Sequence, residues 1–473
     1  MVPGPKVHEL GAHVGRGPGG GGHRSLAGAS AGDHDQAMRQ SGPGVGMAVP
    51  SGGRRPTGGW RRRTFASLIA SSNYRRFVVG QAISLVGTWM QTIGQSWLVL
   101  QLTGSATALG LVAAVQTLPI LLLSPYAGVL VDRRSKRRVL LATQTVMALL
   151  ALTLGLLTLT HTVRLWMVMV IAGALGLVNS VDNPARQSFV PEIVGTDLVA
   201  NAISLNSSMV NAARAVGPAL AGVLIVTVGV GACFLFNTVS FVAVIVALAT
   251  MKPELLHPAV TSVHAPGQLL EGFRYVRRTP RLSTPLLMMA LVGALSYEFQ
   301  VVLPVLAKGT FNGDADAYGF FTAAMGIGAV IGGLAVASRR PKGMRSLAVA
   351  AGVFGLTMLT AAAAPTLATE VLALAMVGAG SVGFMSRGNT MLQMTADETM
   401  RGRVMALWAV AFLGTTPIGG PIVGYVAQHA GPRWGLALGG LAALVATALA
   451  AFPHLRQAWQ LNRDRARPTA RSQ

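Results

Sequence analysis

The sequence predicts an all-α polytopic membrane protein with twelve transmembrane helices in two pseudo-symmetric six-helix bundles. Three observations carry this: a composition too apolar for a soluble surface, a run of apolar windows of membrane-spanning length, and a similarity between the first six windows and the last six. Of 473 residues, 52% are hydrophobic and only 11% charged, with mean hydropathy +0.53. A membrane helix needs about 20 mainly apolar residues. Windows of that kind fall at 77–101, 106–131, 138–160, 164–183, 199–228 and 230–250, then at 284–307, 316–338, 344–364, 367–388, 402–427 and 432–452.

Residues 1–70 precede the first span and are expected to be a disordered, basic, Gly-rich cytoplasmic tail, because Gly, Pro, Ser and Arg cannot bury a core. Its His8, His13, His23 and His34 read as incidental rather than as metal ligands, and Met38 and Met47 are alternative start positions. No apolar stretch before residue 77 resembles a cleavable signal. The one cysteine, Cys233, lies in an apolar run and reads as a small buried hydrophobe. The expected domains are a bundle over 71–250, a cytoplasmic linker over 251–283 with an amphipathic helix in "GQLLEGFRYVRRTPRL", a bundle over 284–452 and a basic cytoplasmic tail over 453–473.

Placing the connections on alternate sides sorts the charge. All Lys and Arg residues except Arg164, Arg214, Lys308 and Arg433 fall on one side, which the positive-inside rule assigns to the cytoplasm together with both termini. The net charge of +22 is thus spread between spans and lines no soluble nucleic-acid face, so nucleic acid is not an expected partner. The expected surroundings are the lipid bilayer.

The halves also align. "GSATALGLVAA" at 104–114 matches "GDADAYGFFTAA" at 313–324, setting Gly110 on Gly319; Asn183 and Gln187 fall on Asn389 and Gln393; Gly217-Pro218 recurs as Gly420-Pro421. A repeat of about 205 residues means two six-helix halves with a site at their interface, a plan common among secondary transporters.

The densest charge is "GVLVDRRSKRRVLL" at 128–141, between spans two and three. Gly128 allows span two a close helix neighbour, Asp132 accepts hydrogen bonds, and Arg133, Lys136 and Arg137 can pair with carboxylates or phosphates. Such a cluster can hold one conformation shut as a cytoplasmic gate; the plainer reading is that it only fixes topology. The stretch resembles the G-x-x-x-D-R-x-G-[RK]-[RK] signature of the major facilitator superfamily, with Ser135 where a glycine is usual. The counterpart "GLAVASRRPKGMR" at 333–345 lacks the acid, so the latch is expected to be stronger in the first half. "LTGSATALG", "DNPARQSFVPEIVG", "RAVGPALAG" and "RGRVMAL" resemble the bacterial drug and siderophore exporter group of that superfamily, of the transmembrane secretion effector type. "AARAVGPALAG" is also similar to its antiporter signature, with Ala213 and Ala221 in place of glycines, and Gly217-Pro218 is the expected helix kink. The resemblance implies the major facilitator fold and an exporter working by alternating access.

Ionisable groups at membrane depth mark pathways or partners. Glu298, near the middle of span seven, can alternate between protonated and charged forms, which suits proton coupling; the plainer reading is a structural carboxylate. Arg214 shares a stripe with Ser204, Ser207, Asn211 and Pro218, and could bind an anion or balance Glu298. Span one carries Gln81, Ser84, Thr88, Gln91 and Gln95 at spacings of 3, 4, 3 and 4, a stripe that should face a wet cavity or a helix partner; the cavity reading is preferred, with Asn211 and Arg214 also expected to line it. Asp182, Asn183 and Arg186 are expected as exposed caps and interhelix pairs at the cytoplasmic end of span four.

No phosphate loop, Ser/His pairing or membrane-depth metal cluster is legible, so an enzyme, a direct ATP pump, a metal and a cofactor are not expected. The function expected is a proton-coupled exporter of small amphipathic molecules, drugs or secreted metabolites, in the inner (plasma) membrane, with a small-molecule substrate, protons and the lipid bilayer as partners and the chain acting as a monomer. Two alternatives stay open: a proton-linked importer and, more remotely, a membrane receptor.

Overall fold

A computed structural model describes residues 64–257, 268–337 and 343–465. The expected disorder of the N-terminal tail falls mainly outside these residues. So do its histidines, most basic residues of the 333–345 loop, and the end of the C-terminal tail.

The first half comprises α1 (Ala66–Ala70), α2 (Ser72–Thr103), α3 (Ala106–Asp132), α4 (Lys136–Leu159), α5 (Leu165–Val194), α6 (Val199–Thr227) and α7 (Gly231–Ala249). After α8 (Gln268–Arg278), the second half comprises α9 (Pro280–Ser296), α10 (Phe299–Phe311), α11 (Ala315–Ala337), α12 (Met344–Ala362), α13 (Leu367–Thr395), α14 (Arg401–Leu413), α15 (Thr416–His429) and α16 (Pro432–Arg465). Spans one to six are α2 to α7. Span seven is α9 with α10, spans eight to ten are α11 to α13, span eleven is α14 with α15, and span twelve is α16. Among the described residues, eleven spans are long and apolar enough to cross a membrane; the twelfth, α2, is 32 residues long and carries the polar stripe. The turn at 133–135, the segment 251–257 and α8 mark one end of the bundle, called here the basic end, and the Gly104 turn marks the far end.

Local chemistry sets the boundaries. Ser71 and Ser105 accept the backbone N–H groups of Tyr74 and Ala108 and so cap α2 and α3. Gly104, at φ 61°, closes α2 in a left-handed conformation that a side chain would strain, and so turns the chain at the far end.

Lipid is as apolar as leucine, so close packing rather than the hydrophobic effect holds membrane helices together, and small residues make the seams. In α2, Gly80, Gly87 and Gly94 recur every seven residues and lie on α7. A Cβ on Gly80 would stand 3.0 Å from the Ala243 carbonyl oxygen, and one on Gly94 would stand 3.1 Å from the Cys233 Cβ.

The same device joins the halves. A Cβ on Gly110 of α3 would collide with the carbonyl oxygen of Gly420 in α15 and lie 3.0 Å from the Pro421 Cα. On the other side a Cβ on Gly319 of α11 would lie 2.7 Å from the Pro218 carbonyl oxygen and 3.0 Å from the Gly222 Cα, both in α6. The duplicated positions therefore pair crosswise, each half giving a glycine near the start of one span to the Gly-Pro segment of the other half. Both seams lie toward the far end, where Ala106 N–H also donates to Gln428 Oε1 at 2.7 Å.

Two spans are broken, and the breaks adjoin. Span eleven stops at Leu413 and resumes at Thr416, where Pro417, which has no N–H to continue the ladder, sits in the first turn of α15. Span seven breaks at Tyr297–Glu298. A Cβ on Gly293 would lie 2.7 Å from the Phe412 carbonyl oxygen, and one on Gly419 would collide with that of Ala294. At Gly217-Pro218, the expected kink, the helix does not break: α6 runs from Val199 to Thr227 through Pro218, and Gly217 seats α6 on α2, a Cβ there standing 2.6 Å from the Trp89 Cβ.

The linker helix α8 belongs to the second half. Glu271 pairs with Arg403 at 2.8 Å, the Tyr275 hydroxyl donates to Asp397 at 2.9 Å, and Val276 packs with Leu282, Leu392 and Val404.

Candidate functional site

A cavity of about 240 Å³ runs along the inner wall of the first half and is closed from the second half by Gln300 and Val301 of α10. From α2 it receives Thr88, Gln91 and Gln95 of the sequence-read stripe, with Thr92 and Ser96 beside them. Gln81 and Ser84 of that stripe are buried and do not line it. The opposing wall is also polar: Gln116 from α3, Asn179 and Asn183 from α5, and Asn237 from α7. These amides are ordered by one another. Asn237 donates to Gln91 Oε1 at 2.7 Å and accepts from Ser240 at 2.8 Å, while Gln95 donates to Gln116 at 2.9 Å. Such a wall, fixed by its own hydrogen bonds inside an apolar bundle, presents spare amide groups to whatever enters.

Behind it stands a carboxylate. Asp182 is fully buried, not exposed as the sequence suggested, because the residues around it supply donors on three sides. Thr143 and Gln144 of α4 donate to Oδ1 at 2.7 and 2.9 Å, and Arg186 one helical turn on pairs with Oδ2. The Arg186 guanidinium reaches the cavity and is the one ionisable group among the described residues lining it.

Glu298 sits elsewhere, in the seam between the halves. It begins α10, only 6% exposed; Oε1 is buried with no hydrogen-bond partner, the other oxygen would lie 3.5 Å from a Cβ on Gly420, and Thr416 is its hydrogen-bonding neighbour. Spans two, seven and eleven thus converge on one carboxyl group. Tyr297 anchors the break beside it: its hydroxyl donates to the Ser381 carbonyl at 2.7 Å and its ring meets Phe412 edge-on at 4.6 Å.

Arg214 forms no ion pair with Glu298. Its guanidinium stacks over the Trp89 ring at 5.3 Å, leaving Nε buried without a hydrogen-bond partner. Asn211, on the same helix, donates to Ser207 at 2.8 Å and, like Arg214, lies outside the cavity wall.

The gate residues are distributed differently from the expectation of a single latch. Lys136 pairs with Glu192 of α5 at 2.6 Å, and Arg137 donates to the Leu248 and Ala249 carbonyls at the end of α7, both at 2.8 Å, so both brace their own half. Asp132 ends α3 and Arg133, exposed, caps it. The close approach expected at Gly128 is absent here, with nothing within 4 Å of a Cβ placed there, because the tight contacts between halves lie toward the far end.

The transmembrane secretion effector model, a branch of the major facilitator group, matches residues 63–470. The chain belongs to the transmembrane secretion effector family. Among relatives of this family member is the staphyloferrin A transporter of Staphylococcus aureus, 28% identical over 54% of this chain and 64% of that protein, just under two thirds of its length. The multidrug efflux pump Tap of Mycolicibacterium fortuitum is 27% identical over 73% of the chain and 87% of its own. The enterobactin exporter EntS of Shigella boydii is 26% identical over 70% and 76%. In fold, the chain resembles the nucleoside transporter NupG, with a TM-score of 0.64 at 14% identity over 80% of this chain and 98% of that one.

For a secretion effector, the residues that sequence reasoning passed over are instructive. Gln116 and Asn237 each stand nearly alone in an apolar run such as "FLFNTVSF", Gln300 follows Glu298 just past the break in span seven, and Asn179 precedes Asn183 and Arg186 at spacings of 4 and 3. The available signal was chemical: a lone amide at membrane depth must find a partner or a wet wall.

Proposed function

We propose that this secretion effector is a proton-coupled exporter of small amphipathic molecules, drugs or secreted metabolites, moving them out across the inner (plasma) membrane by alternating access. The observation that carries the reading is Glu298, a carboxyl group with one unpartnered oxygen, buried where three spans from both halves meet beside two helix breaks. A charged carboxylate with one oxygen lacking any donor in such a place is costly. Protonation therefore favours the closed far-end seam, and loss of the proton favours its opening. Coupling needs that link between one proton and one interface.

The positive-inside rule puts the basic end and both termini in the cytoplasm, so the closed seam faces outward. The open space beside Gly128 leaves room for a helix of the second half when the basic end closes in turn, with Asp132 and Arg133 as the latch. The efflux and export relatives support the outward direction.

Glu298→Gln keeps the size of the side chain and removes its titration. In proteoliposomes, the variant is expected to lose efflux driven by a proton gradient while keeping exchange of substrate across the membrane at zero gradient. Gradient-driven efflux at the wild-type rate, with equal protein inserted, would take Glu298 out of the mechanism.

A further inference from the structure

We infer that the cavity in the first half is a subsite for an oxygen-rich polar group ending in a carboxylate, which would form the anionic head of the exported molecule; this rests on the transport reading above. The argument begins with charge. Arg186 is the one ionisable side chain among the described lining residues, and its only acidic neighbour, Asp182, is sealed behind the wall with both oxygens engaged by Thr143, Gln144 and Arg186 itself. No carboxylate oxygen is left to meet a cation. The one aromatic ring in the wall is Phe241, so a cation has no aromatic cage either.

An anion has partners of every kind it needs. A guanidinium carries five N–H donors in a plane. One of the Arg186 terminal nitrogens is engaged by Asp182, a quarter of the side chain remains exposed, and the residue lines the cavity. Carboxylate is the group whose geometry matches the remaining fork. Farther along the wall, the bonds that hold Gln91, Gln95 and Gln116 leave the Gln91 and Gln116 amide nitrogens and the Gln95 carbonyl oxygen for a ligand, with Thr88, Thr92 and Gln300 close by. That alternation of donors and acceptors suits hydroxyl and amide groups, which both give and accept. The volume, about 240 Å³, is below the roughly 300–1,000 Å³ of a pocket for a whole drug-sized ligand. The subsite therefore seats a head group, and the rest of the molecule lies outside it.

Gluconate, sorbitol and tetraphenylphosphonium separate charge from hydroxyl content and size. With purified full-length protein and tryptophan fluorescence as the readout, gluconate is expected to bind at least about tenfold more tightly than sorbitol, and tetraphenylphosphonium no better than sorbitol. Arg186→Gln should erase the gluconate preference and leave sorbitol binding unchanged. Because that variant also unpairs Asp182, Asn179→Asp and Gln300→Glu serve beside it: each puts a carboxylate in the wall without touching the pair. Each should weaken gluconate about tenfold and admit tetraphenylphosphonium. Equal binding of gluconate and sorbitol, or tighter binding of the cation to the wild type, overturns the subsite. The transport reading fails separately: if proteoliposomes move none of a panel of amphipathic anions and cations while the gluconate preference holds, the subsite stands and the exporter does not. Efflux that favours cations does the reverse.

Discussion

Gly110→Ala is expected to cut the initial rate of gradient-driven efflux about tenfold or more, with the protein inserted at its normal level. The added methyl group would run into the Gly420 carbonyl, which is backbone and cannot swing aside as a side chain can. Spans two and eleven must separate, losing the close contacts that are the main source of helix association in lipid. The state with its far end closed becomes the less populated one, and the cycle stalls with that end open. Gly319→Ala tests the matching seam, where the Cβ would stand 2.7 Å from the Pro218 carbonyl, and a smaller fall is expected there. Rates are read in proteoliposomes, and seam closure by crosslinking cysteines introduced across it. Normal rates in both variants would mean that the seams are not shut during turnover.

Asp182→Ala should cost about 3 kcal/mol of stability, because it removes the acceptor shared by Thr143, Gln144 and Arg186 and leaves a cation and two donors without it. The open part of Arg186 lets water repay some of the loss, which places the figure at the low end for a broken buried pair. Asp182→Asn keeps an acceptor and should lose about half as much. Thermal unfolding in detergent is the measurement, and an apparent midpoint several degrees lower is the expected sign. An unchanged midpoint in Asp182→Ala would show that the carboxylate is not the structural centre of the α4–α5 contact.

What the sequence made legible was whatever follows from composition and period. Apolar runs gave the spans, and the sidedness of Lys and Arg constrained their number, since an error of one span would scramble it. The repeat was legible too, through Gly110 with Gly319 and Gly217-Pro218 with Gly420-Pro421. Their meaning was not, because crosswise pairing of the halves is a fact of three dimensions.

The site was read less evenly. Thr88, Gln91 and Gln95 announced a polar face by helical spacing, but the same spacing could not say where the wet wall stops, and Gln81 and Ser84 lie beyond it. Lys136 and Arg137 sat in a recognisable motif, yet a motif does not say which half supplies the partners; Glu192 and the end of α7 do. Spans seven and eleven both read as continuous in sequence; Pro417 stands at the break in span eleven, whereas Tyr297–Glu298 carries no glycine or proline at the break itself.

The central claim is that one carboxyl group links protonation to the far-end seam. Distances between spin labels test it most directly: one pair spanning the halves at the far end, at positions 102 and 425, and one at the basic end, at positions 134 and 345, with Cys233 replaced by alanine. On raising the pH, the far-end distance should lengthen as the basic-end distance shortens, and in Glu298→Gln the far-end distance should no longer follow pH. A far-end distance that ignores pH, or that still follows it in Glu298→Gln, would contradict the account.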